Sequence, residues 1–432
     1  MRLAVKAKAF LKGVLHKHGD FYMHEAKLKR VITLPHLILY GMGTMIGAGI
    51  YVLLGIIAGH ANFYTPFSFL IAGLVGLLTA FSYADLSHHF PDSAGAAIYV
   101  RHGFKNDLLS KVVGYLVILS GIVSCGALAK GFSGYAQELV EINYNFLVFA
   151  FIFTLGFISC WRIHFSMWII SIISIVEILG LLFVVAVLLP DFDYKIIFNK
   201  TLSIPSGADL LGLASAALLA FYAFIGFEDM VNVVEEVKVN TMRKGIIYAF
   251  FFTCIIYFLI AIVSTASVDM SMLTKKSAPL VEMLSGHTPL AGKLISVVSV
   301  IATINGGLIQ IILSSRILYG MGRKNLGISL FSKINPITHT PLYGVLFTVF
   351  LIIIFSYFFP IEQLAKITSV AVLFVFCLVN LSLVILIRKK IIPRKRSRHI
   401  LMPLSALITC LILLVTQLYI ELDKAFNLYI TG

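Results

Sequence analysis

The stretch GMGTMIGAGIYVLLG, Gly41 to Gly55, decides how this chain is read. It lies inside an apolar run long enough to cross a bilayer, yet it carries five glycines. Each glycine costs a helix about 1 kcal/mol relative to alanine. Unpaired backbone at bilayer depth is tolerated only where it is buried in protein or lines a polar cavity. Two readings therefore stay open at this point. The glycines let neighbouring helices pack closely, or Gly43, Gly47 and Gly49 let the chain leave helical geometry. In the second reading, the half-helix restarting after Gly47 offers free N–H groups and a positive dipole end, a receptor for a carboxylate. The half-helix before it ends in free carbonyls, which accept from an ammonium or coordinate a cation.

The rest of the chain fits a membrane setting. Its 432 residues are 59% hydrophobic and 12% charged, with a mean hydropathy of +0.97; a soluble domain is about 25% charged. Apolar runs of helical membrane length recur throughout, so the predicted fold class is an all-α polytopic membrane protein. A membrane β-barrel would show short alternating segments instead. Eleven transmembrane helices are expected, near 35–59, 65–89, 112–138, 145–161, 166–189, 208–234, 244–268, 291–320, 342–359, 362–387 and 400–420. With a cytoplasmic N-terminus, most of the 34 Lys and Arg residues fall in inner segments, as the positive-inside rule requires. The net charge of +14 then reflects topology and anionic lipid, and nucleic-acid binding is not expected. The expected location is the plasma (cell inner) membrane.

The five cysteines show no metal or redox spacing. No P-loop, zinc motif or nucleophile–base constellation is visible, so no cofactor, no metal and no enzymatic chemistry are expected. Residues 1–34 form a basic tail in which Leu3, Ala7, Phe10, Leu11 and Val14 share one helical face. That tail lies on the inner leaflet or is a disordered basic segment. Residues 389–432 read as a basic inner loop, an added eleventh helix and a short tail.

A second interrupted span strengthens the broken-helix reading. In LLAFYAFIGFEDMVNVVEEVK, Gly226 sits mid-span with Glu228 and Asp229 close behind it. Adjacent carboxylates near bilayer depth are costly unless they face a cavity or a partner. The two interrupted spans are the first and the sixth. They occupy matching positions if the chain is two five-helix repeats, about 35–189 and 208–388. Matching interruptions are the best sequence pointer to a transporter's midplane site.

Four ordered motifs carry a family resemblance. GMGTMIGAGIYVLLG resembles the first-span signature of the amino acid–polyamine–organocation (APC) permeases. FYAFIGFEDMVNVVEEVK, Phe221 to Lys238, is similar to their sixth-span signature. PDSAGAAIYVRHGF, Pro91 to Phe104, resembles their loop between spans 2 and 3, and ATINGGLIQIILSSRILYGMGRKNLG, Ala302 to Gly327, resembles their eighth span. The resemblance implies a five-plus-five inverted-repeat (LeuT-type) transporter core over residues 35–388. It implies a secondary active permease for amino acids, by symport with a coupling proton or by exchange. A polyamine or other amine carrier is the alternative, and a channel-like facilitator a further one. Carried onto this chain, the substrate carboxylate rests on the amides of Gly47, Ala48 and Gly49. The ammonium meets carbonyls of Met45, Tyr222, Ala223 and Ile225, and Tyr222 also stands where relatives place a gating aromatic.

Coupling and gating candidates follow from the same comparison. Glu228 couples occupancy to gating or bonds free backbone amides. Ser314 and Ser315 are the hydroxyls that would hold sodium, the less favoured ion. In SIISIVEILGLLFVV, Glu177 falls at or near the position where many sodium-independent relatives place a lysine. It is a candidate proton carrier, with a paired structural carboxylate and a cation ligand as alternatives. Lys130 replaces a small or apolar residue in the third span; it snorkels to the outer interface or lines an outer vestibule.

Overall fold

The computed structural model describes residues 30–47, 49–91, 95–161, 167–238, 241–269, 273, 277–323, 326–393 and 400–431. The amphipathic-tail expectation, Ala48 and part of the loop between spans 2 and 3 lie outside the described residues. Among the described residues the molecule is built of helices, with a single isolated β-bridge. In chain order they are α1 (Leu34–Ile46), α2 (Gly49–Ala61), α3 (Thr65–His89), α4 (Gly95–Phe104), α5 (Asp107–Gln137), α6 (Tyr144–Ser159) and α7 (Met167–Leu188). There follow α8 (Gly207–Phe224), a 3₁₀ helix (Phe227–Glu236), α9 (Met242–Ser267), α10 (Pro279–Leu284) and α11 (Pro289–Arg323). The chain closes with α12 (Leu342–Phe358), α13 (Ile361–Arg388) and α14 (Leu401–Thr431).

Local chemistry starts several of these helices. Proline stands in the first turn of α1, α3 and α10, where its missing N–H costs nothing. Asn106 caps α5 by accepting from the Leu109 N–H at 3.1 Å, and Asn143 caps α6. Ser206 and Asp209 cap α8 reciprocally, a capping box in which each satisfies an orphan donor of the first turn.

Among the described residues, eight stretches are long and apolar enough to cross a membrane, and three shorter apolar helices, Leu34–Ile46, Tyr144–Ser159 and Leu342–Phe358, accompany them. Large apolar side chains such as Phe149, Phe153, Ile172, Phe251, Phe350 and Ile412 face outward. In water such a surface would aggregate; in a bilayer it meets lipid at no cost. The protein is a multi-pass integral membrane protein. The sixth expected span differs from expectation in one respect: α8 stops at Phe224, and the residues to Glu236 form a 3₁₀ helix. The last helix runs to Thr431, past its expected end near 420.

The two interrupted spans form the centre of the bundle. α1 packs against α7 and α9, and α2 against α8. At one side of the molecule, Ile32 and Val237 form a parallel bridge, with Ile32 N–H donating to Glu236 O at 3.0 Å and Lys238 N–H to Ile32 O at 3.2 Å. At the far end of α2, His60 Nε2 lies 3.0 Å from Glu362 Oε1 on α13, and Lys366 lies 2.7 Å from the same oxygen.

Candidate functional site

The site begins with two chain interruptions. α1 ends at Ile46, and the Gly47 N–H donates back to Gly43 O at 3.2 Å. α2 starts at Gly49, which lies against Ala223 of α8. α8 ends at Phe224; Ile225 is extended, with φ −65° and ψ 135°. Gly226 has φ +130°, a backbone geometry open essentially to glycine alone. The backbone there also runs so close to Thr44 that a Cβ on residue 226 would stand 2.5 Å from Thr44 O and 3.1 Å from the Met45 N. The sequence folds this way because position 226 carries no side chain.

Two hydroxyls join the breaks. Thr44 Oγ1 lies 2.9 Å from Gly41 O and 3.1 Å from Gly226 O, so its one proton is shared between its own helix and the second break. The Tyr257 hydroxyl, on α9 and fully buried, lies 2.9 Å from Met45 O and 3.0 Å from Ala223 O. It donates to carbonyls of both interrupted spans at once. Each carbonyl keeps a second lone pair, so both can still accept from an ammonium. Tyr257 escaped the sequence reading. Its only signal was a hydroxyl in the apolar run CIIYFLIAIV, Cys254 to Val263.

Tyr257→Phe is expected to cost about 1 kcal/mol of stability, the net worth of one hydrogen bond. It is also expected to raise the KM for substrate several-fold, because the two carbonyls lose their common tether. Thermal unfolding in detergent and initial-rate transport check the two effects separately. A variant with unaltered KM would show that the tether does not shape the site.

Glu228 Oε2 accepts from the Gly226 N–H at 2.9 Å. The carboxylate thus closes over the break that it follows. Tyr222 points to α5, with its hydroxyl 2.8 Å from Ser124 Oγ and 3.2 Å from Ser124 O. Beside both breaks lies a narrow crevice, lined by Thr44, Ser124, Tyr222, Ile225, Gly306 and Gln310 among others. The structure therefore brings Tyr222 and Ile225 to one cavity, next to the carbonyls of Met45 and Ala223. No acidic or basic side chain lines it among the described residues.

Glu177 stands behind the first break. It is fully buried, and its Oε1 accepts from Asn305 Nδ2 of α11 at 3.2 Å. Its Oε2 has no hydrogen-bond partner among the described residues. The carboxyl oxygens lie 3.7 and 3.8 Å from where a Cβ on Gly43 and on Gly47 would stand. A half-satisfied buried carboxyl is thus held against the end of α1. Asn305 was not singled out in the sequence, since a lone amide in a span reads as ordinary.

Ser314 and Ser315 are not brought to the first break. The α11 residues near it are Ala302, Asn305 and Gly306; Ser314 lies two turns further on, about 12 Å at 1.5 Å per residue. Ser314 packs on Gly121 of α5, and Ser315 on Gly344 of α12. Lys130, on α5, is half-buried and does not line the crevice; its carbonyl accepts from the Tyr144 hydroxyl at 3.1 Å.

A multi-pass helical membrane protein whose two interrupted helices meet beside a crevice has the architecture in which helical membrane transporters place a midplane site. The sequence model for amino acid permeases matches residues 32–430, and the chain belongs to that family. It is 28% identical over 393 residues to the Arabidopsis thaliana protein named cationic amino acid transporter 3, mitochondrial, covering 85% of this chain and 64% of that one. It is 26% identical over 391 residues to the branched-chain amino acid permease BcaP of Bacillus subtilis, covering 85% and 83%. The mouse cationic amino acid transporter 4 is 24% identical over 397 residues, with 85% and 61% covered. The chain spans less than two thirds of the length of the plant and mouse relatives.

Proposed function

We propose that this chain is a secondary active permease that carries amino acids across a membrane by alternating access, in symport with a proton or by exchange. The observation that carries the reading is the meeting of the two breaks, joined through Thr44 and Tyr257 beside the crevice. A carboxylate and an ammonium on one carbon need receptors of opposite polarity a few ångströms apart. The restart of α2 supplies N–H groups and a positive dipole end. The Met45, Ala223 and Ile225 carbonyls supply acceptors. Names of the matched relatives point the same way.

In this reading residues 35–388 form a ten-helix core of two inverted repeats, about 35–189 and 208–388. Residues 389–432 add an eleventh crossing, and the N-terminus faces the cytoplasm across a plasma or cell inner membrane. Ala48 joins Gly49 as the carboxylate receptor. In this conformation the Gly47 N–H is engaged with Gly43 O, and the carboxylate competes for it on arrival. Tyr222 closes the crevice from the sixth span. Glu177 is the proton carrier.

The deciding experiment is counterflow in liposomes reconstituted with the full chain. Lumenal unlabelled amino acid is expected to drive transient accumulation of labelled amino acid, with saturation. Linear, non-saturating uptake without counterflow would replace a carrier with a channel-like facilitator.

A further inference from the structure

The crevice does not end at the breaks. It reaches Gln310 between α5 and α11, and Gly306, Gln310 and the buried Ser314 just beyond follow one another at four-residue intervals on the same helix face. Across from them, α5 presents Ser124 and then Gly121. Gly306 stands near the first break, its Cβ position 3.5 Å from Gly47 O. Gln310 lies one turn further, about 6 Å along the helix. Its Oε1 is 2.9 Å from where a Cβ on Gly121 would stand, and Ser314 Oγ is closer still to that point. The missing side chain at 121 leaves room for both polar groups.

Ser314 is 1% exposed, and its Oγ has no hydrogen-bond partner among the described residues. A hydroxyl buried in a helix interface ordinarily bonds back to the carbonyl one turn earlier, as Ser315 does to Ile312 O at 2.9 Å. Ser314 forgoes that bond; its Oγ and the Gln310 Oε1 both lie against Gly121. Leaving a buried polar group unmatched costs free energy, so the polar corner next to Gln310, at the edge of the crevice, suits a hydrogen-bonding guest.

Resting on the amino acid permease reading above, we infer that Gln310 and Ser314 form a side-chain subsite that selects a neutral, hydrogen-bonding amino acid, a carboxamide or hydroxyl side chain. With the α-carbon at the breaks, a side chain of glutamine length spans the one-turn distance to Gln310. A carboxamide there both donates and accepts, matching the Gln310 amide and the Ser314 hydroxyl. A leucine side chain would fill the space and leave both polar groups unmatched. An arginine or lysine head would bring a charge to a wall with no carboxylate among the described residues, which is costly at bilayer depth.

The test is uptake of labelled glutamine, leucine and arginine by proteoliposomes holding the full chain, with kcat/KM measured for each. Glutamine is expected to exceed leucine and arginine by ~10-fold or more, since a site built to hydrogen-bond a side chain rejects analogues lacking it. In Gln310→Leu with Ser314→Ala, the glutamine-to-leucine ratio is expected to fall towards 1. Gly121→Ala, which pushes a methyl into the same space, is expected to lower that ratio as well. If the double variant does not purify as a monodisperse protein, Ser314→Ala alone gives the same reading. Wild-type preference for leucine or arginine, or a ratio unmoved by the variants, overturns the subsite while leaving an amino acid permease. Uptake of none of the three, with glycine and alanine also excluded, overturns the permease reading and the subsite together.

Discussion

Gly226→Ala is expected to lower the initial rate of amino acid transport on the order of 10²-fold, the scale of loss when binding groups shift by about 1 Å. Two physical effects act together. At φ +130° an alanine is strained by about 1–3 kcal/mol. Its Cβ would also stand 2.5 Å from Thr44 O and 2.8 Å from the Thr44 carbonyl carbon. These are backbone atoms and cannot swing aside as a side-chain tip would. The second break must then move away from the first, and Thr44 and Tyr257 lose their shared geometry. Gly207→Ala, at the exposed start of α8 with nothing within 4 Å of its Cβ position, serves as the control. Rates are to be normalised to monodisperse protein recovered from liposomes. A Gly226→Ala protein with more than half the parental rate would show that the contact between the breaks is dispensable.

The second large effect is expected in energy coupling. A one-unit pH gradient is worth about 1.4 kcal/mol and sustains about tenfold accumulation at one proton per substrate. In Glu177→Gln that accumulation is expected to collapse to equilibration, whereas counterflow, which needs no net proton movement, is expected to persist. Glutamine keeps the oxygen that accepts from Asn305 Nδ2, so the change removes the ionisable group and little else. Retention of tenfold accumulation in the variant would move the proton to another carboxyl, with Glu228 next to be tested. Loss of counterflow as well, in folded protein, would make Glu177 a support of the α1 end. Asn305→Ala separates the roles further: it removes the amide partner and leaves the carboxyl, so altered coupling with intact counterflow is the expected outcome.

The breaks were legible because their cause is local. Glycines at 43, 47, 49 and 226 and the carboxylates at 228 and 229 violate what an apolar span should contain, and a violation at bilayer depth asks for a reason. Tyr257 and Asn305 were not legible. Each is an unremarkable polar residue in its own helix, and its importance comes from what the neighbouring helix places opposite it. The same limit explains Ser314 and Ser315. Sequence locates the eighth span but not its sliding register against the first, and two helical turns separate a residue at the break from one at Gly121. Fold class required only hydropathy and length. The sixth span needed the additional fact that a positive-φ glycine, once used, leaves a tight 3₁₀ turn behind it.

The bridge between Ile32 and Val237 bears on how the molecule can move. It clamps the start of one interrupted span to the finish of the other by two main-chain hydrogen bonds. Two arms tied at this point are expected to move together about it rather than on separate hinges. A spectroscopic ruler between positions 32 and 237 would read a constant length through the cycle, while rulers from either arm to α7 or α11 would lengthen and shorten in step. That outcome would make the bridge the fulcrum of a lever, placed outside the crevice.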